Sequence, residues 1–309
     1  MKANKTVIIT GGNSGLGFEC AKAIAHAHEG WHIVLACRNN EKGMQALDLI
    51  TSITDNKNLS MLQLDLASLE SVRNFVNVYQ MKGYPPLKGL ICNAGLIVHG
   101  GNPVTEEGFE LTFGVNHLGH FLLTNLLLNQ FVEPGRIVSV SSNTHNSGVR
   151  EGQMAPATYL GAKKLAYPDT DQELSRMQKY TTSKLCNILF AYELDRKLRK
   201  EEINITVNAY DPGFSPGTNL GGDGMSGMTV DRKMFEKMGI VTSTPEDSGK
   251  AMARLLLDPQ LEKVSGKYFQ ILEEISSSEE SYDEEKAKEL WESSKELTSF
   301  QESNTQNSN

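Results

Sequence analysis

Cysteine is scarce in this chain: four residues in 309, Cys20, Cys37, Cys92 and Cys186, none in CxxC spacing. That excludes a disulfide framework or a thiolate zinc site and reads as small buried hydrophobes in a reducing, cytoplasmic setting. No apolar run approaches the roughly 18 residues that cross a bilayer. The chain reaches the strand-like run 6–10 within five residues, so neither a leader peptide nor an integral membrane segment is expected. Basic excess is missing as well. The net charge is -8, and residues 273–309 carry all of it with 11 acids against three lysines. A body with no positive field is not a nucleic-acid binder. No internal repeat recurs at solenoid periods. What remains is an ordinary globular composition, 39% hydrophobic and 22% charged, over a length that supports one large domain or two small ones.

The pattern that is present alternates short β-branched runs with helical periods. Strand signals fall at 6–10, 31–37, 59–64 and 87–92, separated by helical spacing at 18–27, 41–53 and 68–81. That order demands right-handed crossovers and one parallel sheet with helices on both faces. Ligands of such sheets sit beyond the carboxyl ends of the strands. The first of those ends carries Gly11, Asn13, Ser14, Gly15, Leu16 and Gly17, a glycine turn that opens a helix. Strand, glycine turn and helix aim backbone N–H groups at a phosphate. The second strand ends in Cys37-Arg38 rather than in an acid. A guanidinium there suits a 2'-phosphate and favours NADP(H) over NAD. Asp65-Leu66 and Asn93-Ala94-Gly95 follow the third and fourth strands, as adenosine contacts or as plain turn chemistry.

Further along, a helical stretch at 109–123 contains Asn116, whose side chain or carbonyl has a polar partner or is a satisfied core amide. His117 and His120 lie in the same stretch without a third ligand pattern, so packing rather than a metal explains them. A fifth strand at 135–142 ends in Ser141 and Ser142, of which only one faces the cleft. The run 180–194 reads as a buried helix, and on it Tyr180 and Lys184 are one turn apart on the same face. A cation beside a phenol favours its ionised form, which makes a proton donor. A sixth strand at 203–209 leads to Pro212, Gly213 and Thr218, and then to a Gly- and Met-rich flap containing Met225 and Met228. A last short strand spans 266–272, and residues 283–297 form a peripheral acidic helix.

Taken in order, these motifs resemble those of the short-chain dehydrogenase/reductase family: Thr10-Gly11-x-x-x-Gly15-x-Gly17, Asn93-Ala94-Gly95, Asn116, the strand-end serine, Tyr180-x-x-x-Lys184 and Pro212-Gly213. The stretches around Asn116-His117-Leu118-Gly119-His120-Phe121 and Ser183-Lys184-Leu185-Cys186-Asn187 are similar to the branch that holds retinol dehydrogenases, the WW-domain oxidoreductase and light-dependent protochlorophyllide reductase. The resemblance implies a single Rossmann-type domain of about seven strands over residues 1–272. Substrate-side loops would span 143–179 and 214–244, and an acidic helix with a disordered tail would occupy 273–309. It implies Tyr180 as general acid/base, Lys184 lowering its pKa and holding the nicotinamide ribose, Ser142 as donor to the substrate oxygen and Asn116 supporting a relay water. Gly11, Asn13, Ser14, Leu16, Arg38, Asp65, Asn93 and the turn from Pro212 to Thr218 would contact NADP(H). Phe214, Met225, Met228 and the segment 144–177 would line a pocket for a small but bulky lipophilic substrate. The family occurs both as monomers and as homodimers. Two other functions fit the same frame: ring C=C reduction of a tetrapyrrole-like substrate, against which Phe214 stands where the light-dependent enzyme has cysteine, and a non-catalytic NADP(H) sensor.

Overall fold

The computed structural model describes residues 2–146, 155–168, 174–216, 220, 232–237 and 239–301. Strands β1 (Lys5–Thr10), β2 (Trp31–Cys37), β3 (Leu59–Gln63) and β4 (Leu87–Cys92) alternate with helices α1 (Gly15–Ala27), α2 (Asn40–Thr54) and α3 (Leu69–Met81). Next come α4 (Leu111–Phe113), a π-helical turn (Gly114–Leu118), α5 (Gly119–Leu127), β5 (Phe131–Val140), α6 (Ala162–Ala166), the long α7 (Arg176–Lys200) and β6 (Ile205–Asp211). The chain ends with α8 (Arg232–Lys237), α9 (Pro245–Leu257), β7 (Tyr268–Gln270), β8 (Glu273–Ile275) and α10 (Glu284–Leu297).

Among the described residues eight strands form one sheet in the order β3-β2-β1-β4-β5-β6-β7-β8. The first seven run parallel, and β8 returns antiparallel to β7 with Tyr268 opposite Ile275. The sequence pattern gives about seven strands. The eighth hides in an acidic run because its Glu273 and Glu274 lie exposed at the sheet edge and carry no apolar alternation. Parallel strands covered on both faces alternate their apolar residues between two cores. Val7 and Ile9 of β1 join Cys20 and Ile24 of α1 and Met252 of α9 on one face. Ile8 joins Phe75 of α3, Phe121 of α5 and Ile188 of α7 on the other.

Trp291 belongs to that second core, and Ile275 and Phe300 pack against it. Trp291 is 3% exposed and stacks on Phe190, with ring centroids 5.8 Å apart. Arg73 Nη2 of α3 donates to the carbonyl of Thr298 at 2.7 Å. The four cysteines are buried and unpaired, and burial pushes the thiols of Cys37 and Cys92 up to about 12. Among the described residues no helix is long and apolar enough to cross a membrane.

Candidate active site

The parallel pairing of β1 with β2 and β4 brings their carboxyl ends together. There the chain encloses a cleft of about 590 Å³. Its floor is the glycine turn. Gly11 and Gly15 have φ of 67° and 54°, left-handed values that cost a side chain strain. Thr10 Oγ1 accepts from the N–H groups of both Asn93 and Ala94 at 2.9 Å, and Asn93 Nδ2 donates to the Thr10 carbonyl at 2.9 Å. The turns after β1 and β4 are thereby clamped together. Asn39 and Ser68 cap α2 and α3 through their side chains, whereas Ser14 at the start of α1 makes no such bond. The first-turn N–H groups of α1 are left for an anion at the cleft. Gly11, Asn13, Ser14, Gly15 and Leu16 line this end, with Arg38, Asn93, Ala94 and Gly95 beside them. An uncapped helix start next to a guanidinium fits the pyrophosphate and ribose end of a dinucleotide.

Not every residue singled out in the sequence reaches the cleft. Gly17 serves packing: a Cβ there would stand 2.5 Å from the Gly11 carbonyl oxygen and 2.6 Å from Asn93 Nδ2. Asp65 turns its carboxylate back on the Ala67 N–H at 2.9 Å, an Asx turn that starts α3. Leu66 is buried in the core against Gly119. Thr218, Met225 and Met228 lie outside the described residues.

The opposite wall comes from α7. Ser175 and Gln178 close a capping box that starts this helix four residues ahead of Tyr180. Tyr180 and Lys184 are 6% and 3% exposed, and both line the cleft. Lys184 Nζ sits 5.5 Å from the centroid of the Tyr180 ring and donates to the Val140 carbonyl at 3.3 Å. Burial pushes its ammonium down to about 8, opposed by the carboxylate of Asp211. Asp211 also lines the cleft, accepting from the Gly213 N–H at 3.0 Å and from Gln270 Nε2 at 2.7 Å. This acid is missing from the sequence-derived set of site residues, although its place directly before Pro212-Gly213 at a strand end is the available signal. Pro212 and Gly213 line the cleft beside it, with Phe214 and Met177.

The two strand-end serines are used differently. Ser141 donates to the Lys184 carbonyl at 2.6 Å, tying β5 to α7. Ser142 Oγ accepts from the Thr144 N–H at 3.3 Å, which leaves its own proton for the cleft.

Asn116 sits in the π turn, where the widened helix shifts the backbone pairing. Its Oδ1 accepts from the Leu96 N–H at 2.9 Å, and its Nδ2 donates to the Leu96 carbonyl at 3.1 Å and to Ser183 Oγ at 3.0 Å. A Cβ on Gly95 would be 3.3 Å from Asn116 Oδ1 and 3.5 Å from Lys184 Nζ, so the three groups share one corner at the cleft. The Asn116 carbonyl has a partner too, His120 Nδ1 at 3.2 Å. With both lone pairs of Thr10 Oγ1 taken by backbone N–H groups, its hydroxyl donates to His120 Nε2 at 2.9 Å, so the imidazole proton is on Nδ1. His117 points elsewhere, Nε2 to Ser294 Oγ at 3.0 Å. Among the described residues no cluster of three or more His, Cys, Asp or Glu could hold a metal.

Comparison with known proteins agrees with this architecture. The family model described as short chain dehydrogenase matches residues 5–166. Human retinol dehydrogenase 13 is 36% identical over 307 residues, covering 96% of this chain and 85% of the relative. Protochlorophyllide reductase A of Triticum aestivum is 34% identical over 316 residues, covering 94% and 79%. A solved structure of an uncharacterized protein from Mycobacterium paratuberculosis superposes with a TM-score of 0.72 at 27% identity, covering 97% of this chain and 96% of the other. The sheet order, the cleft beyond its carboxyl edge and these matches place the chain in the short chain dehydrogenase family of NAD(P)(H)-binding oxidoreductases.

Proposed function

We propose that this chain is an NADPH-dependent oxidoreductase acting reversibly on the carbonyl or alcohol of a bulky lipophilic substrate, with Tyr180 as general acid/base. The observation that carries the reading is that Tyr180, Lys184 and Ser142 open into the same cleft as the glycine turn and Arg38. A nicotinamide bound there supplies or accepts the hydride. The protein's part is to meet the negative charge that develops on the substrate oxygen with donors already in place. Ser142 offers its hydroxyl, and Tyr180 transfers a proton to the oxygen. Lys184, still mostly protonated at neutral pH by its value of about 8, holds a positive charge against the Tyr180 ring and favours the phenolate left behind. Asn116 acts through position, fixing Leu96 at the cleft wall and Ser183 on α7.

Substrate size and greasiness are supported by Phe214, Met177, Leu96 and Ile97 on the cleft wall, and by relatives named for retinol and protochlorophyllide. Arg38 supports the choice of NADPH. The test is NADPH oxidation in the dark with lipophilic aldehydes and ketones, where Tyr180→Phe should lower kcat by about 10² to 10⁴. Equal rates for the two proteins would remove Tyr180 from the mechanism. Tighter binding of NADH than NADPH would overturn the cofactor assignment, and turnover that requires light and a ring pigment would replace carbonyl reduction by C=C reduction.

A further inference from the structure

Three residues beyond Ser142, and not among the residues that line the cleft, is an imidazole that the mechanism does not use. His145 is 2% exposed and closes a short helical turn from Asn143 that starts at Ser142. Its Nε2 accepts the Ser278 backbone N–H at 2.9 Å. An amide can only donate, so that nitrogen carries no hydrogen and the ring proton is on Nδ1. Nδ1 lies 2.7 Å from the Ser142 carbonyl and donates to it, and the His145 backbone N–H donates to the same oxygen at 3.1 Å. Both lone pairs of the Ser142 carbonyl are therefore filled by one residue. The edge of Tyr268 on β7, with ring centroids 5.2 Å apart at 75°, holds the imidazole upright.

The other end of this link is firmly set. Ser278 belongs to a serine knot in which Ser277 and Ser281 hydroxyls meet at 2.6 Å and Ser281 donates to the Ser278 carbonyl at 2.6 Å. Tyr192 of α7 reaches Ser277 Oγ at 2.8 Å and stacks on Tyr282. A rigid segment 133 residues downstream thus braces the backbone of the cleft serine through one ring.

We infer that His145 is a positioning residue: it transmits the anchorage of the C-terminal segment at Ser278 to Ser142 and so sets where the Ser142 hydroxyl meets the substrate oxygen. The inference rests on Ser142 being the donor proposed above. Donors to a developing oxyanion act only when placed to within a fraction of an ångström.

Two isosteres separate its two bonds. In His145→Asn the amide nitrogen stands near Nδ1 and keeps the donor to Ser142 while losing Ser278. In His145→Gln the amide oxygen reaches the Nε2 position and keeps Ser278 while losing the donor. Both should melt at lower temperature than the parent. With carbonyl substrate and NADPH, His145→Gln and His145→Asn each cut the link at one end, so both should lose about tenfold in kcat at unchanged KM for NADPH. Ser142→Ala alone should lose about 10² or more, and adding His145→Gln to it should lose nothing further. Parental kcat in either single variant, or a double variant about tenfold below Ser142→Ala, would overturn the inference while leaving Ser142 in its role. A silent Ser142→Ala would instead remove the serine from the reaction, and His145's role with it.

Discussion

Lys184 Nζ stands 5.5 Å from the centre of the Tyr180 ring, one helical turn along α7, with both side chains buried against the same cleft. Among the described residues no carboxylate lies within ion-pair distance of that ammonium; its polar contact is the Val140 carbonyl. A buried cation without a salt bridge gives up its proton more readily, which is why it titrates at about 8 rather than 10.5.

A pH limb follows from that value. The ammonium is mostly present at neutral pH and is lost as pH rises through about 8, so kcat/KM for carbonyl reduction should fall above about pH 8. Lys184→Arg carries a charge that does not titrate in this range. It should lower the plateau but move the limb upward by at least one unit. A limb that stays put in the arginine variant would assign it to another group.

Acid should unfold the protein early. Burial pushes His117 down to about 3 and His120 and His145 to about 4, from 6.5. Between those values and 6.5 the unfolded chain binds more protons than the folded one, so stability falls as pH falls. Three such groups give a slope of at most about 4 kcal/mol per pH unit. Denaturant midpoints should drop steeply from pH 6.5 to 5, ahead of carboxylate protonation, and His117→Phe should cut the slope by about a third. An unchanged slope in that variant would mean that His117 takes up its proton without unfolding.

Much of this is legible in the sequence, for local reasons. Gly11 and Gly15 must turn left-handed, and Tyr180 and Lys184 must share a helical face. Other features leave no such trace. The π turn at Asn116, whose carbonyl accepts from His120 Nδ1 and whose Oδ1 accepts from the Leu96 N–H, is encoded by no local periodicity. Asp65 reads equally as a ligand or as an Asx turn, and geometry places it in the turn. Ala287, Leu290 and Trp291 keep helical spacing inside an acidic stretch, so composition suggests a peripheral helix where the period belongs to the core. The bond from His145 to Ser278 spans 133 residues; only folding reveals it.

Gly17→Ala tests whether the dinucleotide end depends on helix packing. The added Cβ meets backbone at Gly11 and the amide that clamps β1 to β4. The loss should be about 1–3 kcal/mol of stability, with NADPH affinity weakened because Asn93 must move. Gly101→Ala is the control, since its φ is 67° with open space around it. It should cost about 1–3 kcal/mol of backbone strain without changing NADPH binding. Calorimetric titration of both variants checks this, and wild-type affinity in Gly17→Ala would show that the turn tolerates the clash.

Trp291 tests whether the C-terminal helix is part of the domain or an appendage. Its ring stacks on Phe190, meets Phe121 edge-on with centroids 5.1 Å apart and carries Lys197 Nζ 4.7 Å above it. Both phenylalanines belong to the core that backs α5, which carries His120, and α7, which carries the cleft residues Tyr180 and Lys184. Truncation to alanine removes a large buried aromatic and should cost about 3–5 kcal/mol. Because the cavity opens beneath α7, kcat should fall in the same variant while the cofactor end keeps its affinity. Denaturant unfolding gives the first quantity and steady-state kinetics the second. A loss under about 1 kcal/mol would show that α10 detaches from the core at little cost.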